Sequence, residues 1–173
     1  MIKKILLGLV LLFVLAVIAF FTPGVFSGDL ENETRVVVEK PRQDVWEKFR
    51  DESKMGEWLE GFKSIKIIEG EPQTVGSKHR ITFENDGQEI EMIQTMTKFD
   101  KGEGFAFNLA NDVMYSDIDV RLVDKGLVTE VIQKEKYHGQ NVFWHSLFYW
   151  LKSTMAENSL RNMNSFKKYA EGA

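Results

Sequence analysis

The fold is decided by residues 128–170, VTEVIQKEKYHGQNVFWHSLFYWLKSTMAENSLRNMNSFKKYA. The period with which hydrophobic residues recur changes within this stretch. Up to about His138, apolar and polar residues alternate, which is typical of a strand with one buried face. From about Phe143 to Ala170, apolar residues recur every three or four positions, which predicts a helix about 42 Å long. Its expected inward stripe is Trp144, Leu147, Phe148, Leu151, Met155, Ser159, Met163, Phe166 and Ala170.

Strand-like segments also fill the sequence before this stretch. We expect strands at 34–39, 64–69, 78–85, 89–99, 104–109 and 114–123, besides 128–138. Turn signals such as Asp86-Gly87 and Lys125-Gly126 are short, so neighbouring strands should be antiparallel. Pro41 should open a helix after the first strand, and a second short helix should cover 53–59. The sequence therefore predicts an α+β chain, with about seven antiparallel strands curved around a long C-terminal helix.

The N-terminus carries an unbroken apolar run at residues 5–21, directly after Lys3 and Lys4. A membrane-spanning helix needs about 20 apolar residues, with a range of roughly 17–25. We expect a cytoplasmic tip at 1–4, a transmembrane anchor at 5–21, a linker at 22–32 and a folded domain at 33–173. Basic residues stay on the cytoplasmic side, so the domain should be exported. A cleaved signal peptide is the alternative, although its apolar core is usually only about 7–15 residues long.

Composition excludes several classes of function. The chain has 173 residues, no Cys and a net charge of -4. No basic stripe offers a surface to nucleic acid, so we expect no nucleic-acid partner. Without Cys there is no thiolate chemistry, and the three His residues lack metal-ligand spacing. We therefore expect no metal site and no cofactor.

Local motifs add a resemblance to a known family. Four stretches carry this resemblance: VVVEKPRQDVWEKFRD (36–51), MGEWLEGFKSIKIIEGEP (55–72), TVGSKHRITF (74–83) and NSFKKYAE (164–171). Together with the order of elements, they resemble the helix-grip superfamily of START, pollen-allergen-like and polyketide cyclase/dehydrase-like (SRPBCC) domains over about 34–171. The resemblance implies a hydrophobic or lipid-like ligand held between sheet and helix. Some members are enzymes, and many are carriers or sensors.

Strand alternation predicts which side chains face the interior. The expected polar ligand contacts are His79, Gln94, Gln133, Glu135 and Tyr137, and the expected apolar contacts are Phe83, Phe107, Ile118, Phe148 and Met155. Pocket polar groups usually fix the polar end of a ligand. The alternative is that these polar residues simply lie where the inner face meets solvent at the strand ends.

Three functions fit this pattern. The first is a membrane-anchored domain that binds a small hydrophobic ligand without catalysis. The second is a cyclase or dehydratase that uses Glu135, His79 or Tyr137 as acid and base. The third is an interaction module with a filled core, which uses exposed aromatics. Phe143 and Trp150, like Tyr149, lie outside the helical stripe and should pack on the short helices or form a patch at the pocket mouth.

Overall fold

The computed structural model describes residues 2–172. Met1 of the expected cytoplasmic tip and Ala173 of the expected domain lie outside the described residues. The elements in chain order are α1 (Ile2–Phe26), β1 (Leu30–Val38), α2 (Arg42–Arg50), a 3₁₀-helix (Glu52–Glu57), β2 (Phe62–Glu69), β3 (Lys78–Asn85), β4 (Gln88–Asp100), β5 (Gly104–Ala110), β6 (Met114–Asp124), β7 (Thr129–Gly139) and α3 (Val142–Glu171).

All seven strands form one antiparallel sheet in the order β1-β7-β6-β5-β4-β3-β2. Helix α3 packs against β1 and β7, and α2 packs against α3. The α+β helix-grip fold expected from the sequence is therefore confirmed, with seven strands and a long C-terminal helix. The predicted hairpin at Asp86-Gly87 is also present, and both residues have positive φ, 49° and 76°. Two positive φ values are what a tight two-residue hairpin requires.

The core lies between the sheet, α2 and the second half of α3. Val38, Val45 and Val131 are fully buried against Met163 and Phe166. Aromatic rings from three elements meet there, since the Phe166 ring lies 4.2 Å from Phe49 and 5.1 Å from Trp58, centroid to centroid. The Pro41 prediction is confirmed, since Pro41 directly precedes α2.

The first half of α3 does not lie on this core. Ser159, Met163, Phe166 and Ala170 of the expected stripe are buried, whereas Leu151 is 42% exposed. This 30-residue helix is about 45 Å long. In the first half of the predicted stripe, Trp144, Leu147, Phe148 and Met155 are only half-buried, and this half of α3 also packs against α1.

Helix α1 is longer than the expected anchor. It continues through Pro23 to Phe26, and β1 begins at Leu30, so that the expected linker at 22–32 is mostly helix and strand. The helix end is stabilised locally, because the backbone N–H of Ser27 donates to the Pro23 carbonyl at 2.8 Å. Within the described chain, α1 is the one helix that has the length and apolar composition to cross a membrane. None of its described residues is buried.

The end of α1 contacts the aromatic residues at the start of α3. The Phe143 ring lies 5.9 Å from the Phe20 ring and 6.3 Å from the Phe21 ring, centroid to centroid. Ser146 Oγ donates to the Phe21 carbonyl at 3.5 Å. Phe143 and Trp150 therefore contact α1. The expectation that they pack on the short helices is wrong. The residues of α1 that they contact, Phe20 and Phe21, are the last two of the expected anchor.

Candidate ligand-binding cavity

A cavity of about 240 Å³ lies between the curved sheet, the short helices and the second half of α3. Its wall is mostly apolar and contains Phe49, Met55, Trp58, Leu59, Ile65, Ile81, Phe83, Met96, Phe105, Phe107, Leu109, Ile118 and Met163. The polar residues of the wall are Arg50, Glu52, His79, Gln94, Gln133, Glu135, Ser159 and Asn162. Ligand sites typically measure about 300–1,000 Å³, so this cavity suits a compact molecule.

The sheet supplies its part of the wall in rows of cross-strand neighbours. One row runs from Phe107 through Ile118 to Glu135 across β5, β6 and β7. A second row joins His79 to Gln94 and then to Leu109 across β3, β4 and β5. Because alternate residues of a strand point to the same face, these rows follow directly from the sequence period.

Seven of the ten expected ligand-contact residues line the cavity. They are His79, Phe83, Gln94, Phe107, Ile118, Gln133 and Glu135. Their side chains come together from five strands, β3 to β7, in agreement with the alternation. Their role in binding a ligand stays a prediction.

Tyr137, Phe148 and Met155 do not line the cavity. Tyr137 is only 4% exposed, but it lies on β7, which α3 covers. Phe148 and Met155 precede the part of α3 that reaches the cavity, which begins at Ser159. The structure therefore places these three outside the cavity wall, and for Phe148 and Met155 the reason is that α3 reaches the cavity later in its sequence than the stripe suggested.

Glu135 is the centre of a hydrogen-bond network that joins three elements. Its Oε2 accepts from Asn32 Nδ2 of β1 at 2.9 Å and from Ser159 Oγ of α3. Its Oε1 accepts from Gln133 Nε2 at 3.0 Å. These donors stabilise the carboxylate and tie α3 to the sheet. The arrangement gives Glu135 a structural role at the cavity wall.

Arg50 at the end of α2 also lines the cavity, and sequence reasoning missed it. Its guanidinium carbon lies 5.1 Å from the Phe99 ring centroid, 5.7 Å from that of Phe105 and 6.0 Å from that of Trp46. Burial lowers the pKa of Arg50, and the nearby charge of Glu52 opposes this effect. The spacing from Trp46 to Arg50 is i, i+4, so both share one helix face. That spacing was the signal that could have identified Arg50.

Several buried polar atoms have no hydrogen-bond partner within residues 2–172. They are Nε and Nη2 of Arg50, Nε1 of Trp58, Oγ of Ser77 and Nδ1 of His79. Arg50, Trp58 and His79 all belong to the cavity wall. Native proteins satisfy most buried polar groups, so an unpaired group in a cavity wall is an indication of function. In the same described residues, no group of three or more His, Asp or Glu could hold a metal ion.

Solved structures share this architecture over most of the chain. Ara h 8.0201 aligns with a TM-score of 0.69 at 12% identity and covers 84% of this chain and 100% of its own. Zhui aromatase/cyclase from Streptomyces sp. R1128 aligns with a TM-score of 0.68 at 14% identity, covering 83% and 94%. Norcoclaurine synthase from Thalictrum flavum, in complex with dopamine and hydroxybenzaldehyde, aligns with a TM-score of 0.62 at 15% identity, covering 86% and 90%.

At these identities the likeness establishes the fold alone. No protein-family model matches the chain, and no curated protein matches it.

Proposed function

We propose that this chain is a membrane-anchored protein that binds a small hydrophobic or lipid-like ligand between its sheet and α3. The observation that carries the proposal is the cavity of about 240 Å³ with a mostly apolar wall. A filled-core interaction module would have no such space. Burial of an apolar ligand there would gain roughly 25 cal/mol for each Å² of apolar surface removed from water.

Structures with the same fold support a small organic ligand. Norcoclaurine synthase was solved with dopamine and hydroxybenzaldehyde, and Zhui is an aromatase/cyclase. Dopamine and hydroxybenzaldehyde are compact aromatic molecules. A ligand of similar size suits the cavity described here.

The membrane part of the proposal is supported by α1 and its contact with α3. Lys3 and Lys4 precede the apolar residues of α1, which favours a cytoplasmic N-terminus and an exported domain. Phe143 and Trp150 are 46% and 55% exposed, and they lie beside the C-terminal end of α1. Aromatic residues are enriched at the membrane–water interface. We place this end of α3 at the outer surface of the bilayer.

Binding fits the geometry better than acid–base catalysis does. The cyclase or dehydratase alternative would use Glu135, His79 or Tyr137. Tyr137 lies outside the cavity wall, and three donors hold the Glu135 carboxylate in place, so that His79, with its unpaired Nδ1, is the one of the three with a free ring atom in the wall. A general base must have a lone pair within reach of the proton that it removes.

The test is a titration of the full-length protein in lipid nanodiscs with N-phenyl-1-naphthylamine, a neutral apolar probe whose fluorescence rises in apolar surroundings. Nanodiscs without protein provide the blank. We expect saturable binding above the blank, and Ile118→Trp should fill the cavity and weaken binding by roughly tenfold or more. Arg121→Trp, on the outer face of the same strand, is the matched control and should bind normally. Signal no greater than the blank would refute the proposed function.

A further inference from the structure

Three of the buried, unpaired polar atoms in the cavity wall are hydrogen-bond donors. Arg50 contributes two such donors, Nε and Nη2, and Trp58 contributes Nε1. Guanidinium and indole nitrogens donate hydrogen bonds and cannot accept them. A buried donor without a partner is unfavourable, so a ligand that supplies acceptor oxygens would be stabilised here.

The two unpaired atoms of Arg50 point to a particular acceptor. Nε and Nη2 lie on the same edge of the planar guanidinium group, and their N–H bonds run parallel. That edge matches the two oxygens of a carboxylate, which accept one hydrogen bond each. A hydroxyl or a single carbonyl oxygen would leave one donor poorly satisfied.

Aromatic rings hold this guanidinium group in position. Its carbon lies within 6.0 Å of the ring centroids of Trp46, Phe99 and Phe105. Such cation–π contacts fix the group without using its N–H bonds. The donor edge is therefore held in place for a ligand at little further cost in side-chain entropy.

The charges of the wall favour an anion with one negative charge. Arg50 is the one Lys or Arg among the described residues of the wall, which also contains Glu52 and Glu135. The Glu135 carboxylate is already paired with the side chains of Asn32, Gln133 and Ser159. A doubly charged head group would meet one cation and two carboxylates, and burial of uncompensated charge is costly.

We infer that the ligand is a compact carboxylic acid, whose carboxylate pairs with the Nε–Nη2 edge of Arg50 and whose apolar body lies against Phe107, Ile118 and Met163. Nε1 of Trp58 supplies a further donor in the same wall. This inference rests on the proposed function, because it names the class of ligand for the same cavity.

The experiment compares two probes that differ only at the head group, 4-phenylbutyrate and 4-phenylbutan-1-ol. Each displaces N-phenyl-1-naphthylamine from the full-length protein in nanodiscs at neutral pH, with protein-free nanodiscs as the blank. We expect the acid to compete roughly tenfold or more better than the alcohol, as a charge-assisted bidentate pair predicts. A third probe, 4-phenylbutyl phosphate, should compete less well than the acid.

Variants of Arg50 identify the group responsible. Arg50→Met keeps an apolar stem and should reduce competition by the acid roughly tenfold or more, while competition by the alcohol, which can pair with only one donor, should fall much less. Arg50→Lys keeps the charge but lacks the two-donor edge, and it should show an intermediate loss. Arg42→Met, at the other end of α2, is the matched control and should behave as the wild type. Binding of N-phenyl-1-naphthylamine to each variant verifies that its cavity is intact.

The possible failures are distinct. If the neutral naphthylamine does not bind, the proposed function fails. If the naphthylamine binds but acid and alcohol compete equally, the inference about the carboxylate fails alone. Tighter binding of the phosphate than of the acid, or an unchanged preference for the acid in Arg50→Met, would also overturn the inference.

Discussion

Trp150 and Phe20 join the two long helices, because the indole Nε1 of Trp150 donates a hydrogen bond of 3.2 Å to the Phe20 carbonyl oxygen. Pro23 has no N–H to donate to the carbonyl of Ala19, the residue before Phe20, so the helix backbone is less fully paired at this point. Carbonyl groups near a proline in a helix often find donors on a neighbouring helix. The apolar helix α1 is therefore fixed to the folded domain by specific polar and aromatic contacts.

The first prediction concerns Gly24, where α1 lies close to α3. A Cβ atom at this position would collide with Ser146 Oγ and the Val142 carbonyl oxygen. We expect Gly24→Ala to lower the free energy of unfolding by ~1–3 kcal/mol, as overpacking does, and to raise further the acrylamide quenching of Trp150, which is already 55% exposed. Gly8→Ala is the matched control, because a Cβ there meets no atom within 4 Å. Equal stability and quenching in both variants would contradict the close contact.

The second prediction concerns the network around Glu135. Glu135→Ala removes the acceptor for Asn32, Gln133 and Ser159, so we expect a loss of about 2 kcal/mol in the free energy of unfolding by urea titration. Glu130→Ala, on the outer face of β7, removes only exposed ion pairs and should cost less than about 1 kcal/mol. Similar losses in the two variants would show that the network contributes no special stability.

The third prediction is that Arg50 lowers the stability of the ligand-free protein. Replacing its half-buried, unpaired guanidinium by the apolar side chain of Met should raise the free energy of unfolding of the ligand-free protein by about 1 kcal/mol. Arg42→Met should change it by less than about 0.5 kcal/mol. Thermal unfolding in the same nanodiscs measures both. A clear loss of stability in Arg50→Met would mean that the aromatic contacts of Arg50 outweigh its unpaired donors.

The fourth prediction concerns alkaline pH. Burial raises the pKa of Tyr137, and the nearby Glu135 carboxylate adds to this effect. The phenol stays neutral in the folded state after it ionises in the unfolded state, where its pKa is about 10. Stability should therefore be unaffected below about pH 10 and should fall as the pH rises above it.

Tyr137→Phe should make that fall shallower. It should not remove the fall, because burial also raises the pKa values of Tyr115 and Tyr169. Urea titrations at several pH values above about 9.5 compare the slopes of the two proteins. An identical slope in Tyr137→Phe and the wild type would show that Tyr137 ionises equally in both states.

Much of the cavity could be predicted because it is built on strands. Alternation with a period of two fixes which residues share a face once the direction of the face is known. The two lysines at 134 and 136 set that direction on β7, since charged side chains favour water. The sequence alone therefore assigns Phe107, Ile118 and Glu135 to the inner face of the sheet.

The helical part of the wall could not be predicted in the same way. A helix stripe shows which face is apolar, but not where along its length the helix meets the sheet. The stripe therefore favours Phe148 and Met155 as cavity residues, whereas α3 reaches the cavity from Ser159 onward. Arg50 was missed because an arginine at a helix end is usually exposed to solvent.

The sequence by itself determined the order of elements, the antiparallel pairing and the inward face of each strand, because these depend on local periods and short turns. The tertiary structure alone decided which part of α3 meets the cavity, that α1 packs on the first half of α3, and that Arg50 lies in the cavity wall with two unpaired donor atoms. Those features depend on contacts between residues distant in sequence, such as Phe20 with Trp150. No local pattern in the chain encodes such contacts.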